Sequence, residues 1–143
     1  MRNHNVLNDP YLVHQYKDFV TELSLSVQHF SELIRKHQQT NLHCKNLKVL
    51  YIEHSREKVD IDAIAEFVKQ NAQIEYFSLQ KMRMASIKIV KLLWKQIENH
   101  LHNVKAIELC AWMFQVEDIK SFVKNNTNIK FVWCMTNKLN EIR

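Results

Sequence analysis

The sequence predicts an α/β fold in which a short strand and a helix alternate about five times. Two observations carry this. The eleven residues Ile64 to Ile74 realign on Ile119 to Ile129 with six identities, 55 positions further along. Short runs with apolar residues at relative positions 1, 4 and 6 begin at 20, 47, 74, 104 and 129, so the spacings are 27, 27, 30 and 25 residues. A near-constant period of this length marks a repeat architecture, in which each unit buries its apolar side only against its neighbours. Composition supplies a third constraint. The 143 residues include no glycine, where average usage would supply about ten. Phosphate loops, dinucleotide fingerprints, nucleophile elbows and EF-hand loops all need glycine for positive φ or close backbone approach, so they are excluded.

The elements follow in chain order. Residues 1–9 are expected to be a disordered N-terminus. Asp9-Pro10 reads as an N-cap followed by the first helical residue, opening a helix through Tyr16. The first strand carries Val20, Leu23 and Leu25 inward, and residues 30–38, with Phe30, Leu33 and Ile34, give a weak helix. The second strand is built on Leu47, Leu50 and Ile52. Asp60 or Asp62 then caps a helix with Ile61, Ile64, Phe67 and Val68 on one side. The third strand is built on Ile74, Phe77 and Leu79, and Ser86 caps a helix carrying Val90, Leu93, Trp94 and Ile97. The fourth is built on Val104, Ile107 and Leu109, with a shorter helix starting at Asp118 and burying Ile119, Phe122 and Val123. The fifth is built on Ile129, Val132 and Cys134, and 138–143 form a C-terminal tail.

A period of 25 to 30 with this LxxLxL-like core resembles the leucine-rich repeat. The passage from Tyr-Lys-Asp-Phe-Val-Thr-Glu-Leu-Ser-Leu at 16–25 to Cys-Lys-Asn-Leu-Lys-Val-Leu-Tyr-Ile at 44–52 is similar to the recognition arm of F-box/leucine-rich-repeat proteins. The resemblance implies a short solenoid over residues 10–137 with a parallel sheet on its concave face. It also implies a role in substrate recognition for a ubiquitin ligase. An F-box opens around Leu-Pro. The one proline here is Pro10, followed by Tyr11, so the recognition part is expected without an F-box. The position that carries Asn or Cys in the family is held by Gln28, Ser55, Met82, Trp112 and Asn137. The family's side-chain ladder is therefore expected to be mostly missing.

With positions 1, 4 and 6 inward, positions 3, 5 and 7 point out of the sheet, because side chains alternate faces. Column 3 is then Glu22, Val49, Tyr76, Ala106 and Phe131. Column 5 is Ser24, Tyr51, Ser78, Glu108 and Trp133, and column 7 is Ser26, Glu53, Gln80, Cys110 and Met135. Aromatic residues are enriched at binding hot spots. Glu22, Tyr51, Glu53, Tyr76, Glu108, Phe131 and Trp133 are therefore the candidate residues for binding another protein. The last strand is the most apolar, so association through that edge, or cover by the tail, is expected there.

The formal charge is +5, with nine basic and nine acidic residues in 1–72 but eleven and six in 73–143. Lys81, Arg83, Lys88, Lys91 and Lys95 are the densest basic stretch and the alternative site, for nucleic acid. Lys88, Lys91 and Lys95 share a helix face, but no aromatic platform interleaves them, so nucleic acid is the lesser reading. His43-Cys44 and His100-X-His102 with Cys110 lack structural zinc spacing. Cys44 and Cys134 read as core fillers, and no glycine turn exists to build an oxyanion site around a cysteine nucleophile. No metal, no cofactor and no enzymatic activity are expected. Three cysteines without a CxxC suit a cytoplasmic or nuclear setting. The longest unbroken apolar run is Leu109 to Phe114, far short of a membrane span.

Overall fold

The structure, a computed structural model, describes residues 6–7, 10–36, 42–53, 59–79, 81–82, 86–110 and 113–133. The fold is α/β. In chain order the elements are β1 (Val6–Leu7), α1 (Pro10–Tyr16), β2 (Glu22–Ser26), α2 (Val27–Lys36), β3 (Val49–Glu53) and α3 (Ile61–Gln70). They continue as β4 (Tyr76–Ser78), α4 (Ile87–Ile97), a 3-10 turn (Glu98–His100), β5 (Ala106–Glu108), α5 (Val116–Asn125) and β6 (Phe131–Trp133). The strands form one all-parallel sheet whose spatial order, β1-β2-β3-β4-β5-β6, is the chain order. The sequence reading counted five strands and placed residues 1–9 outside the repeats. The structure pairs Val6 with Glu22 and Leu7 with Leu23, which adds a short strand at the N-terminal edge.

The inward register is as the 1, 4, 6 pattern requires. Val20, Leu23, Leu25, Leu47, Leu50, Ile52, Ile74, Phe77, Leu79, Val104, Ile107, Leu109, Ile129 and Val132 are all buried. Cys134, the last expected core position, lies outside the described residues, as does the side chain of Ile34. The helices complete the same core. Phe30 of α2 meets Phe67 of α3 edge-on at 5.3 Å, and Trp94 of α4 meets Phe122 of α5 edge-on at 5.0 Å. Burying side chains of this size is the main favourable term in the fold, about 1.5–3 kcal/mol each.

The helix starts follow from their caps. Asp60 caps α3, its carboxylate accepting from Ala63 N at 3.1 Å, and Ser86 caps α4 by accepting from Ile89 N at 3.2 Å. The last helix begins two residues earlier than Asp118 suggests. Gln115 is its N-cap, and Asp118 sits in the first turn, where its carboxylate accepts from Gln115 N at 2.7 Å. That reciprocal arrangement is a capping box.

Successive units are tied by side-chain amides three residues before β3, β4 and β5. Asn46 Nδ2 donates to Asp18 O at 2.6 Å, and Asn103 Nδ2 to Ala72 O at 3.0 Å. Gln73 Nε2 donates to Cys44 O at 2.8 Å and Leu47 O at 3.3 Å. Each bond reaches back one unit, so these residues form a ladder of their own. Among the five family-consensus positions only Met82 has a described side chain, and it is buried.

The duplicated eleven-residue block is a structural duplicate as well. In both copies an asparagine caps the helix C-terminus, its backbone N–H bonding Val68 O or Val123 O. Its side-chain Nδ2 donates to the carbonyl four residues back, Phe67 O at 2.9 Å or Phe122 O at 2.7 Å. Asn71 is fully buried and does more. Its Oδ1 accepts from Cys44 N at 2.8 Å, and its Nδ2 also reaches Leu42 O at 3.2 Å. An interior amide satisfied in this way locks the α3 end to the loop before β3.

Candidate functional site

The outward face of the sheet is the candidate site, and backbone pairing fixes its columns. Glu22, Val49, Tyr76, Ala106 and Phe131 are successive partners across five strands, as are Ser24, Tyr51, Ser78, Glu108 and Trp133. Every named candidate on this face is therefore brought to one surface. Exposure rises along it. Glu22, Tyr51, Glu53, Tyr76 and Glu108 are half-buried, while Phe131 and Trp133 on β6 are 40% and 46% exposed.

Two predicted outward positions are buried. Ser78 keeps its place in the outward column and is covered there. Cys110 is 3% exposed and belongs to the core. The reason is that β5 ends at Glu108. Leu109 N still bonds Trp133 O, but the chain then turns, with Met113 N bonding Cys110 O at 2.9 Å. Alternation of faces holds only while the strand lasts. Gln80 and Met135 lie outside the described residues.

The centre of the face is a pair of tyrosines between acids. The rings of Tyr51 and Tyr76 lie 5.7 Å apart. The Tyr51 hydroxyl holds its proton more tightly than usual because of burial and of the neighbouring Glu22 and Glu108. Glu108 itself is pushed above the usual carboxylate range by burial, and no ion pair reaches it among the described residues. Glu53 is differently placed, at the rim. It accepts from Ser24 Oγ at 3.3 Å and pairs with Lys81 Nζ at 3.3 Å. Phe131 and Trp133 form a second aromatic pair, 5.5 Å apart, at the far edge. The face thus combines aromatic platforms with half-buried carboxylates, a surface suited to cationic and apolar side chains.

Two lysines of the basic alternative are in ion pairs. Lys81 is tied to Glu53, and Lys91 Nζ pairs with Asp118 Oδ2 at 3.2 Å, joining α4 to α5. Arg83 lies outside the described residues. Lys88 and Lys95 remain exposed, beside the exposed Leu92 and Ile87.

His43 and Cys44 are both held by the fold. Cys44 is fully buried, and burial pushes its thiol up to about 12. His43 Nδ1 bonds Gln70 O at 2.8 Å. No group of three or more His, Cys, Asp or Glu side chains suited to a metal exists among the described residues. Among them, too, no helix is long and apolar enough to cross a membrane.

Sequence reasoning gave no sign of one feature, a cleft of about 150 Å³ lined by Glu98, His102, Ser121, Phe122, Asn125 and Asn126 at the C-terminal ends of α4 and α5. Its lining comes from two segments about twenty residues apart with no shared motif. No family model, no curated protein and no solved structure matches the chain.

Proposed function

We propose that the protein is a non-catalytic interaction scaffold, a short leucine-rich-repeat solenoid that holds another protein on the outward, concave face of its sheet. One observation carries the reading: Glu22, Tyr51, Tyr76, Glu108, Phe131 and Trp133 lie in two adjoining register columns on a single face. Parallel strands stacked in chain order support the solenoid. So does the amide ladder, which repeats from unit to unit. In this reading the chain is similar to the recognition arm of F-box/leucine-rich-repeat proteins. Its task would be substrate recognition for a ubiquitin ligase, in the cytoplasm or nucleus, with α3 to α5 as the stiff outer wall.

The test is affinity capture from cell extract with three baits: the wild-type chain, Tyr76→Ser/Trp133→Ser, and Lys88→Glu/Lys95→Glu. The scaffold reading expects the partner to be lost with the first double variant and kept with the second. The reverse pattern, with steep weakening by salt, would replace it by nucleic-acid binding through the α4 face.

A further inference from the structure

We propose that the partner presents a basic residue and, about four positions along an extended segment, an apolar one. The basic group would sit over Tyr51 and Tyr76 between Glu22 and Glu108, and the apolar side chain against Phe131 and Trp133. This deepens the scaffold reading and rests on it. The argument is one of charge and spacing. The chain as a whole carries +5, yet its outward columns hold Glu22, Glu53 and Glu108 and no lysine or arginine. Glu53 already has Lys81. Glu22 and Glu108 have no ion pair among the described residues, and they stand on β2 and β5, the strands on either side of the tyrosine pair. Two tyrosine rings 5.7 Å apart, flanked on both sides by carboxylates, match a guanidinium or ammonium group. Such a group would supply the counter-charge that half-buried carboxylates lack.

The second half of the surface selects a peptide over a small cation. From the midpoint of β3 and β4 to β6 is two and a half strand spacings, roughly 12 Å. Four residues of extended chain cover about 13 Å and return the side chain to the same face. The apolar pair Phe131 and Trp133, 5.5 Å apart and exposed, therefore falls where residue i+4 of a bound segment would reach. Ala106, between Tyr76 and Phe131 in column 3, leaves a smooth floor for the residues in between.

The probe is a fluorescein-labelled peptide, SSRSSSLSS, titrated with the full chain and read by anisotropy. Controls replace its arginine by glutamate or its leucine by serine. The arginine peptide is expected to bind at least about tenfold more tightly than the glutamate peptide. Glu22→Gln/Glu108→Gln should weaken it about tenfold with an unchanged thermal transition, since glutamine keeps the size and polarity of each half-buried side chain and neither carboxylate has an ion pair among the described residues. Trp133→Ser should remove the advantage of leucine over serine in the peptide. Equal binding of arginine and glutamate peptides, or no binding up to about 1 mM, would overturn the proposal. So would full affinity in the glutamine variant, or a dimer that disappears in that variant while no peptide binds. A captured partner lost with Tyr76→Ser/Trp133→Ser but indifferent to Glu22→Gln/Glu108→Gln defeats only the cationic chemistry. Loss confined to Lys88→Glu/Lys95→Glu defeats the scaffold reading itself.

Discussion

Replacing Asn71 by alanine, and Asn126 by alanine in a second variant, separates local capping from the tie between units. The two asparagines occupy the same place in the duplicated block and make the same bond to the carbonyl four residues back. Only Asn71 is fully buried, and only it also holds Cys44 N and Leu42 O across to the preceding unit. In Asn71→Ala the buried Cys44 N–H loses its acceptor and two carbonyls lose a donor. A buried group left unsatisfied costs about 1–3 kcal/mol, more for a donor than for a carbonyl with a second lone pair, so the total is about 2–4 kcal/mol. Asn126→Ala removes one half-exposed bond, for about 0.5–1.5 kcal/mol. At about 3–4 °C per kcal/mol for a chain of this size, Asn71→Ala should melt about 6 to 16 °C lower and Asn126→Ala only a few degrees lower. Urea titration and thermal melting followed by circular dichroism measure both. Equal losses, or a larger loss for Asn126→Ala, would refute the claim that the amide joins adjacent units.

Other substitutions test the register, the caps and the edge. Leu50→Asp should abolish cooperative folding, because it removes a fully buried side chain worth about 2–5 kcal/mol and strands a carboxylate in the core; a soluble variant with a sharp melt contradicts the register. Asp118→Ala should cost about 1–2 kcal/mol, since it removes both the acceptor for Gln115 N and the partner of Lys91, whereas Lys91→Ala, which breaks only a solvent-screened pair, should cost under about 1 kcal/mol by the same urea titration. The Cys44 thiol is raised from 9.0 to about 12 in the fold, so the unfolded chain gives up that proton first and stability should fall as pH rises from 9 toward 12. A Cys44→Ala variant melted across that range should show a shallower fall. Phe131→Ser/Trp133→Ser should raise the monomer fraction or release a partner in light scattering with little change in melting; a variant that simply unfolds means the chain covers these rings itself.

The inward register was legible because it needs only strand alternation, which Leu23, Leu25, Leu50 and Ile52 write plainly. The outward columns followed from the same rule, and they held as far as the strands extend. They failed at Cys110, where a turn after Glu108 ends the alternation. The two-residue strand Val6–Leu7 is too short to show any period, and only its pairing with β2 reveals it. Asn46, Gln73 and Asn103 each stand one residue before the first inward position of a unit, but their purpose was not legible, because an amide's partner lies a whole unit away in sequence. The Lys91–Asp118 pair, which ties one lysine of the α4 face to α5, was hidden for the same reason. On the candidate face the residue types were readable. The bracketing of Tyr51 by Glu22 and Glu108 required knowing which strands are neighbours.

Site-directed photo-crosslinking in cells tests the central claim most directly. Tyr76, on the outward face, is replaced by p-benzoylphenylalanine in one chain, and Lys95, on the exposed side of α4, in another. The account predicts a discrete protein adduct from position 76, suppressed by the added Tyr51→Ser/Trp133→Ser change, and none from position 95. An adduct from position 95 with none from position 76 would contradict it.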